Sequence, residues 1–365
     1  MRLDFFPSRT LTLYLARTFI TRILAVLVML VLVLQMLDLL SESGDILAYP
    51  GNGEAQLWAY VGLRVPQLIA RFLPYSVLLA TIITLATLNQ NSEVISMKAA
   101  GMSAHQILAP LMLTAAIVSA FSFAFNERVV TRATATLNVW EKQKYGPMPK
   151  ESNVRANVYL ADGDNILAIG QLAGRGADMR MTDVTWYRRN AQGIVLQQVR
   201  APSATYGASG WRLADPISFD VQSAVQKPVA PLTVAPQLTP QRISLTGVDA
   251  DGESVIELRQ SIDRLKAAGR HTGELEASWW HKFSGPLSAF LMPLLGAVAA
   301  FGLARSGQLF VRAVIGMALG FAYFVVDNAA IAMGNFGGYP PLLAAWGPFF
   351  LFLLVGETVL MRTEE

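Results

Sequence analysis

The sequence predicts an α-helical membrane protein of six transmembrane helices, arranged three plus three, around an inserted all-β domain. Three observations carry that expectation. Two strongly apolar blocks lie on either side of a polar centre, and their long runs approach the roughly 20 residues needed to cross a bilayer core. The centre switches to short β-branched and aromatic runs separated by turn residues. Composition agrees: of 365 residues, 53% are hydrophobic and 15% charged, against about 25% charged in ordinary soluble domains.

The first span covers residues 19–40 and meets charge only at Arg22 near its start and Asp38 near its end. It is too long for the apolar region of a signal peptide and no small-residue cleavage site follows, so it reads as a retained anchor. The second, residues 61–88, carries Arg64 and Arg71 together with Pro66 and Pro74. The third covers residues 107–125. After the polar centre come residues 283–304, 311–333 and 341–361.

Lys and Arg in the short connections set the orientation. Arg2, Arg9, Arg17 and Arg22 precede or open the first span, Arg305 and Arg312 bracket the connection between the fourth and fifth, and Arg362 follows the sixth. The alternate connections lack this excess: residues 40–60 hold Glu42, Asp45 and Glu54 but no Lys or Arg, and residues 334–340 are uncharged. Both termini are therefore expected in the cytoplasm. By parity the central domain lies outside, which in a Gram-negative cell is the periplasm. The net charge of +3 is spread over separate compartments and implies no nucleic-acid partner. Basic residues here serve orientation and contact with anionic lipid.

Charges within spans are costly and often functional. Asp327, followed by Asn328, falls near the outer third of the fifth span, and Arg64 and Arg71 occupy the outer part of the second. Two readings stand side by side: snorkelling or helix-to-helix pairing, and a polar lining near the outer leaflet. No series of carboxylates crosses the midplane, which speaks against a proton- or sodium-coupled secondary transporter. The absence of Cys excludes thiol chemistry and thiolate metal sites, and three scattered histidines (His105, His271, His281) argue against an imidazole site; neither a metal nor a cofactor is expected.

From about residue 145 to 250 the strand period prevails. Residues 154–160, 165–172, 179–189 and 193–200 read as strands, with turns at 162–165, 190–193 and 207–210. Regular short strands of this kind favour a sandwich, barrel or jelly roll. Pro228, Pro231, Pro236 and Pro240 make an extended stretch unsuited to a central strand. Ser254-Val-Ile-Glu257 is a capping box opening a neck helix, with Val255, Leu258, Ile262 and Leu265 on one face and Gly269 at its end. The domain expectation is thus 1–135, 136–250 and 251–365.

The most specific motif is the polar island between the second and third spans, residues 89–105, on the cytoplasmic side. Ser92 is placed to cap a short helix closed by Gly101, with Val94, Ile95, Met97 and Lys98 around its surface and Glu93 at its start. A helix lying flat on lipid is usually basic. This one balances Glu93 against Lys98, and its shape suits insertion into a groove on a partner protein.

Here the residues reach a family. Asn91-Ser-Glu-Val-Ile-Ser-Met-Lys-Ala-Ala-Gly-Met102 resembles the coupling-helix motif of the LptF/LptG lipopolysaccharide export permeases. Arg64-Val-Pro66, Phe72-Leu-Pro74 and Lys282-Phe-Ser-Gly-Pro-Leu-Ser288 are similar to stretches of the same family. Gly320-Phe-Ala-Tyr-Phe-Val-Val-Asp327 and Tyr339-Pro-Pro341 are more similar to its LptG branch than to the LptF branch. The resemblance covers essentially the whole chain. It implies a periplasmic β-jellyroll domain, a heterodimer with an LptF-like permease, a cytoplasmic LptB ATPase dimer, an LptC partner and lipopolysaccharide as the transported lipid.

In that scheme Ser92, Glu93, Val94, Met97, Lys98 and Gly101 form the ATPase-coupling element, and the first and fifth spans line the lipid cavity. No Gly-x-x-x-x-Gly-Lys-Ser/Thr run occurs, as expected of a transport subunit whose partner hydrolyses ATP. The outer end of the first span lacks the lysines that LptG relatives can carry there. Lipid-contact candidates are therefore Gln35, Asp38, Arg64, Arg71, Arg128, Arg132, Phe324 and Asp327, with Lys142 and Lys144 added by position. Competing readings are the LptF paralogue and, more remotely, a secondary transporter or a membrane-anchored assembly scaffold.

Overall fold

A computed structural model describes residues 6–148, 155–174, 178–190, 192–207, 209–244, 248–301 and 309–362. The two basic residues of the connection at 302–313 and Arg2 lie outside what is described, in whole or in side chain. In chain order the elements are α1 (Arg9–Ala48), α2 (Glu54–Gln90), α3 (Glu93–Ala99), α4 (Ala104–Phe125), a π-helical turn (Asn126–Val130) and α5 (Thr131–Lys142). Then come β1 (Arg155–Asp162), β2 (Asn165–Ala173), β3 (Arg180–Arg189), β4 (Val195–Gly207), β5 (Gly210–Ala214), β6 (Ile217–Asp220), β7 (Val225–Pro228) and β8 (Thr233–Val234). The chain ends with α6 (Pro240–Ser244), α7 (Val255–Ala267), α8 (Gly273–Phe301), α9 (Leu309–Asn335) and α10 (Pro341–Arg362).

The chain divides into two compact units. The first comprises Met1–Leu39, Arg64–Thr131 and Ser254–Glu365; the second comprises Leu40–Leu63 and Arg132–Glu253. Among the described residues five helical segments are long and apolar enough to cross a membrane: Arg9–Ala48, Glu54–Gln90, Ala104–Lys142, Val314–Asn335 and Pro341–Arg362. The fourth span of the sequence reading corresponds to α8, which is 29 residues long.

In the first unit, apolar residues at every fourth position of α1 (Leu15, Phe19, Ile23, Leu27, Val31) make one buried stripe. The other face of the same helix exposes Leu24, Val28, Leu32 and Met36, apolar side chains that suit contact with acyl chains rather than water. Helices α2, α8, α9 and α10 approach closely over glycine: a Cβ at Gly296 would lie 2.7 Å from Thr81 Cγ2, and one at Gly356 would lie 2.8 Å from Leu294. Prolines 66, 74, 110, 286, 293 and 348 sit inside helices. Membrane helices tolerate them where hydroxyls and neighbouring helices add hydrogen bonds to the backbone, and the Thr114 hydroxyl adds one in the turn after Pro110 by donating to Pro110 O at 2.8 Å.

The neck helix forms as its capping signals require. Ser254 Oγ accepts from Glu257 N and the Glu257 carboxylate accepts from Ser254 N. Glu127 of the π-helical turn adds a second acceptor, taking Val255 N–H at 2.8 Å. Leu258, Ile262 and Leu265 are buried, and the helix closes at Gly269 (φ 68°), where Gly269 N–H donates to Lys266 O and Arg270 N–H to Leu265 O.

The second unit holds one eight-stranded antiparallel sheet, ordered β1-β2-β3-β4-β5-β8, with β6 on β4 and β7 on β6. The 13-residue β4 pairs with β3 along its length, with β6 at its start and with β5 at its end. Turn chemistry matches the expectation. Asp162 pairs with Asn165 across a two-residue loop containing Gly163 (φ 61°), and Asn190 Oδ1 accepts from Gln192 N and Ile194 N. Leu167, Ile169, Met181, Val184, Val199, Trp211 and Leu213 form the core, and Trp211 Nε1 donates to Leu238 O at 2.6 Å. Pro228 ends the edge strand β7, Pro231 lies between β7 and β8 and Pro236 follows β8, while Pro240 opens α6 instead of extending the strand-like stretch.

Also within this unit, Tyr145 joins the ends of α1, α2 and α5. Its hydroxyl donates to Glu42 Oε2 at 2.6 Å, its carbonyl accepts from Asn52 Nδ2 at 2.8 Å, and its ring meets Tyr60 and Trp140 edge-on. Burial, then the hydrogen bond to Glu42, push the Tyr145 hydroxyl well above the usual phenol range. Lys144 and Tyr145 both have positive φ (50° and 57°), a conformation that this set of contacts holds in place.

Candidate functional site

The polar island folds as expected in outline and differs in one cap. Helix α3 buries Val94 and Met97 in the core of the first unit and exposes Ile95, Ser96 and Lys98. Its end is a Schellman closure: Gly101 N–H donates to Lys98 O at 2.9 Å and Met102 N–H to Met97 O at 3.1 Å, with Gly101 at φ 87°. Ser92, read from the sequence as the capping side chain, instead occupies the left-handed region (φ 58°) and makes no side-chain cap bond. An N-cap hydroxyl reaches the second or third amide only from extended backbone. Ser103, which is extended, forms the full capping box with Gln106 at the start of α4.

Glu93 is half-buried and has partners within the chain. The Tyr14 hydroxyl donates to both carboxylate oxygens, at 3.1 and 3.4 Å, and Asn91 Nδ2 donates to Oε1 at 3.3 Å. Beside this helix, His105 at the start of α4 meets Glu357 near the end of α10 at 3.1 Å. Neither Tyr14 nor the His105–Glu357 pair is apparent from sequence, because each joins elements far apart in the chain without a local pattern.

The lipid-contact candidates fall into three groups. Asp38 and Arg64 face each other across α1 and α2 with N–O distances of 2.8–3.2 Å, and Arg64 also donates to Gln67 Oε1 at 2.9 Å. This pairing satisfies two in-span charges mutually, which is the helix-to-helix reading of them. Gln35 lies one turn before Asp38, is 8% exposed, and among the described residues neither of its amide atoms has a hydrogen-bond partner. A buried amide left unmet costs free energy, so Gln35 marks a place where a further polar group fits.

The second group lies on α8 and α9. Asp327, 7% exposed, bonds His281 Nε2 at 3.0 Å, with the imidazole seated over Gly285. One turn before Asp327, the buried Phe324 ring stacks on Tyr75 of α2 at 3.7 Å. The sequence analysis counts His281 only against an imidazole metal site and offers no signal for this pair, since Asp327 is 46 residues away and no spacing rule links the two. The third group, Arg71, Arg128, Arg132, Lys142 and Lys144, is exposed. Among the described residues Arg71, Arg128 and Arg132 form no ion pair, so their charges remain available to an anionic ligand.

The arrangement offers a short helix with exposed Ile95 beside one end of α1 and α4, and polar pairs set into apolar helices elsewhere. A family model described as lipopolysaccharide export system permease LptF/LptG matches residues 13–362. The lipopolysaccharide export system permease protein LptG of Escherichia coli strain K12 is 28% identical over 366 residues, covering 98% of this chain and 99% of the relative. The protein of the same name from Haemophilus influenzae is 23% identical over 363 residues, with the same coverage.

Proposed function

We propose, for a chain that belongs to the lipopolysaccharide export system permease family LptF/LptG, that it is the LptG-type subunit of that transporter. In this reading it pairs with an LptF-like permease in the Gram-negative inner membrane and extracts lipopolysaccharide from the outer leaflet. The lipid then passes toward a periplasmic bridge of β-jellyroll domains that LptC joins. Both termini and α3 face the cytoplasm, residues 136–250 face the periplasm, and ATP hydrolysis belongs to a partner LptB dimer. That the relatives reported above carry the name LptG favours this branch over LptF.

The observation that carries the coupling is α3 itself. Val94 and Met97 anchor it in the membrane unit, while Ile95 stands 65% exposed beside the Glu93 carboxylate. An exposed isoleucine flanked by charge on a seven-residue helix is what insertion into a partner groove requires. Glu93 offers its remaining lone pairs to a basic group in that groove. Removing one partner of a desolvated charge pair costs about 2–5 kcal/mol, whereas an exposed charge near a helix start contributes under about 1 kcal/mol. Glu93→Ala is expected to insert normally and to lose ATPase co-purification, and Glu54→Ala to behave as wild type. Undiminished ATPase yield with Glu93→Ala would remove the docking role.

A further inference from the structure

We propose that Tyr14 is a positioning residue for transport: its hydroxyl ties α3 to α1, so that a shift of the partner-facing helix is passed along the first span. The inference rests on the docking of α3 proposed above. Three observations carry it. The Tyr14 ring is 46% exposed, so packing does not account for the residue, and its hydroxyl is aimed at both oxygens of Glu93. The neighbouring Leu15 is fully buried in the apolar core to which Val94 and Met97 also belong, so α1 and α3 are each anchored in that core close to the Tyr14–Glu93 bond.

Third, α1 is a single 40-residue helix without proline. At 1.5 Å per residue the 24 positions from Tyr14 to Asp38 span about 36 Å, enough to cross the ~30 Å apolar layer. A displacement at Tyr14 is therefore delivered to the end of α1 that holds Gln35 and the Asp38–Arg64 pair. One further hydrogen bond, from Arg22 Nη1 to Ile83 O at 3.2 Å, links α1 to α2 between these levels and gives the rod a lateral contact. A phenol donating to a carboxylate is directional and charge-assisted, which suits a contact that must hold while the helices move.

The test uses the reconstituted complex of this chain with its ATPase and second permease in proteoliposomes loaded with lipopolysaccharide. Because this chain has no cysteine, Met36→Cys supplies its single site for a spin label on the exposed face of α1, attached before the partner subunits are added. Tyr14→Phe removes only the hydroxyl. It is expected to keep ATPase association and hydrolysis, to lower lipid released per ATP by about tenfold, the factor of one charge-assisted hydrogen bond, and to abolish the ATP-dependent change in label mobility. Glu93→Gln keeps an acceptor for Tyr14 and is expected to retain the label response in whatever complex still forms. An unchanged release ratio and label response in Tyr14→Phe would overturn the inference. So would loss of the ATPase from that variant, which makes the bond a structural tie. Intact ATPase association in Glu93→Ala would instead overturn the docking reading on which it stands.

Discussion

At the scale of single residues, the in-span charges decide between two physical roles. A carboxylate 7% exposed among apolar helices is tolerated because His281 lies 3.0 Å away. His281→Leu removes that partner and is expected to destabilise the detergent-solubilised protein by about 1–3 kcal/mol, read as a lowered unfolding midpoint. The double variant His281→Leu/Asp327→Leu is expected to recover most of that loss, since replacing both partners of a buried pair by apolar side chains is often near neutral. Transport in the double variant then separates the roles: retained export makes the pair structural, and lost export in a stable protein makes it part of the lipid route. Asp327 stood out in the sequence because a charge inside an apolar run is conspicuous. Its partner did not, because His281 lies at the polar start of α8 where a histidine attracts no notice. Tyr14 was silent for the same reason.

At the scale of elements, local chemistry was legible wherever one segment completes its own signal. The capping box of α7, its apolar stripe and Gly269, the Gly101 closure of α3, and the turns at Gly163 and Gly193 all form within a few residues of the letters that announce them. The expectation for Ser92 failed because cap preference presumes extended backbone, and the tight link from α2 into α3 puts this serine at φ 58°. Hydropathy also ended the third span at Phe125, whereas helix continues through the π-helical turn to Lys142. Polar side chains there conceal a helix that hydropathy does not register. Helix packing gives a prediction of its own. In Gly296→Ala the new methyl meets Thr81, a β-branched side chain fixed by its hydrogen bond to Val77 O, and overpacking of this kind costs about 1–3 kcal/mol. Gly347→Ala, where the nearest atom would lie at an ordinary 3.7 Å, is expected to leave the unfolding midpoint unchanged.

At the scale of the whole molecule, three apolar helices, a β insertion and three more helices were readable from alternation of hydropathy and period alone. The pairing of β4 with three different strands was not, since register between distant strands leaves no mark in a single sequence. The orientation rests on the arginine excess, and alkaline phosphatase fusions check it: activity is expected after Gly163 or Gly193, and none after Gly101 or at the C-terminus. Activity at Gly101 would put α3 out of reach of any ATPase. The proposed route takes lipopolysaccharide past the end of α1, where the Gln35 amide, without a partner among the described residues, lies beside the Asp38–Arg64 pair. It is tested most directly by a photo-reactive side chain installed at Gln35 in cells that are exporting the lipid. Capture of lipopolysaccharide at Gln35, with none at the exposed Ile83 of α2, is the predicted result; capture confined to Ile83 would contradict the route.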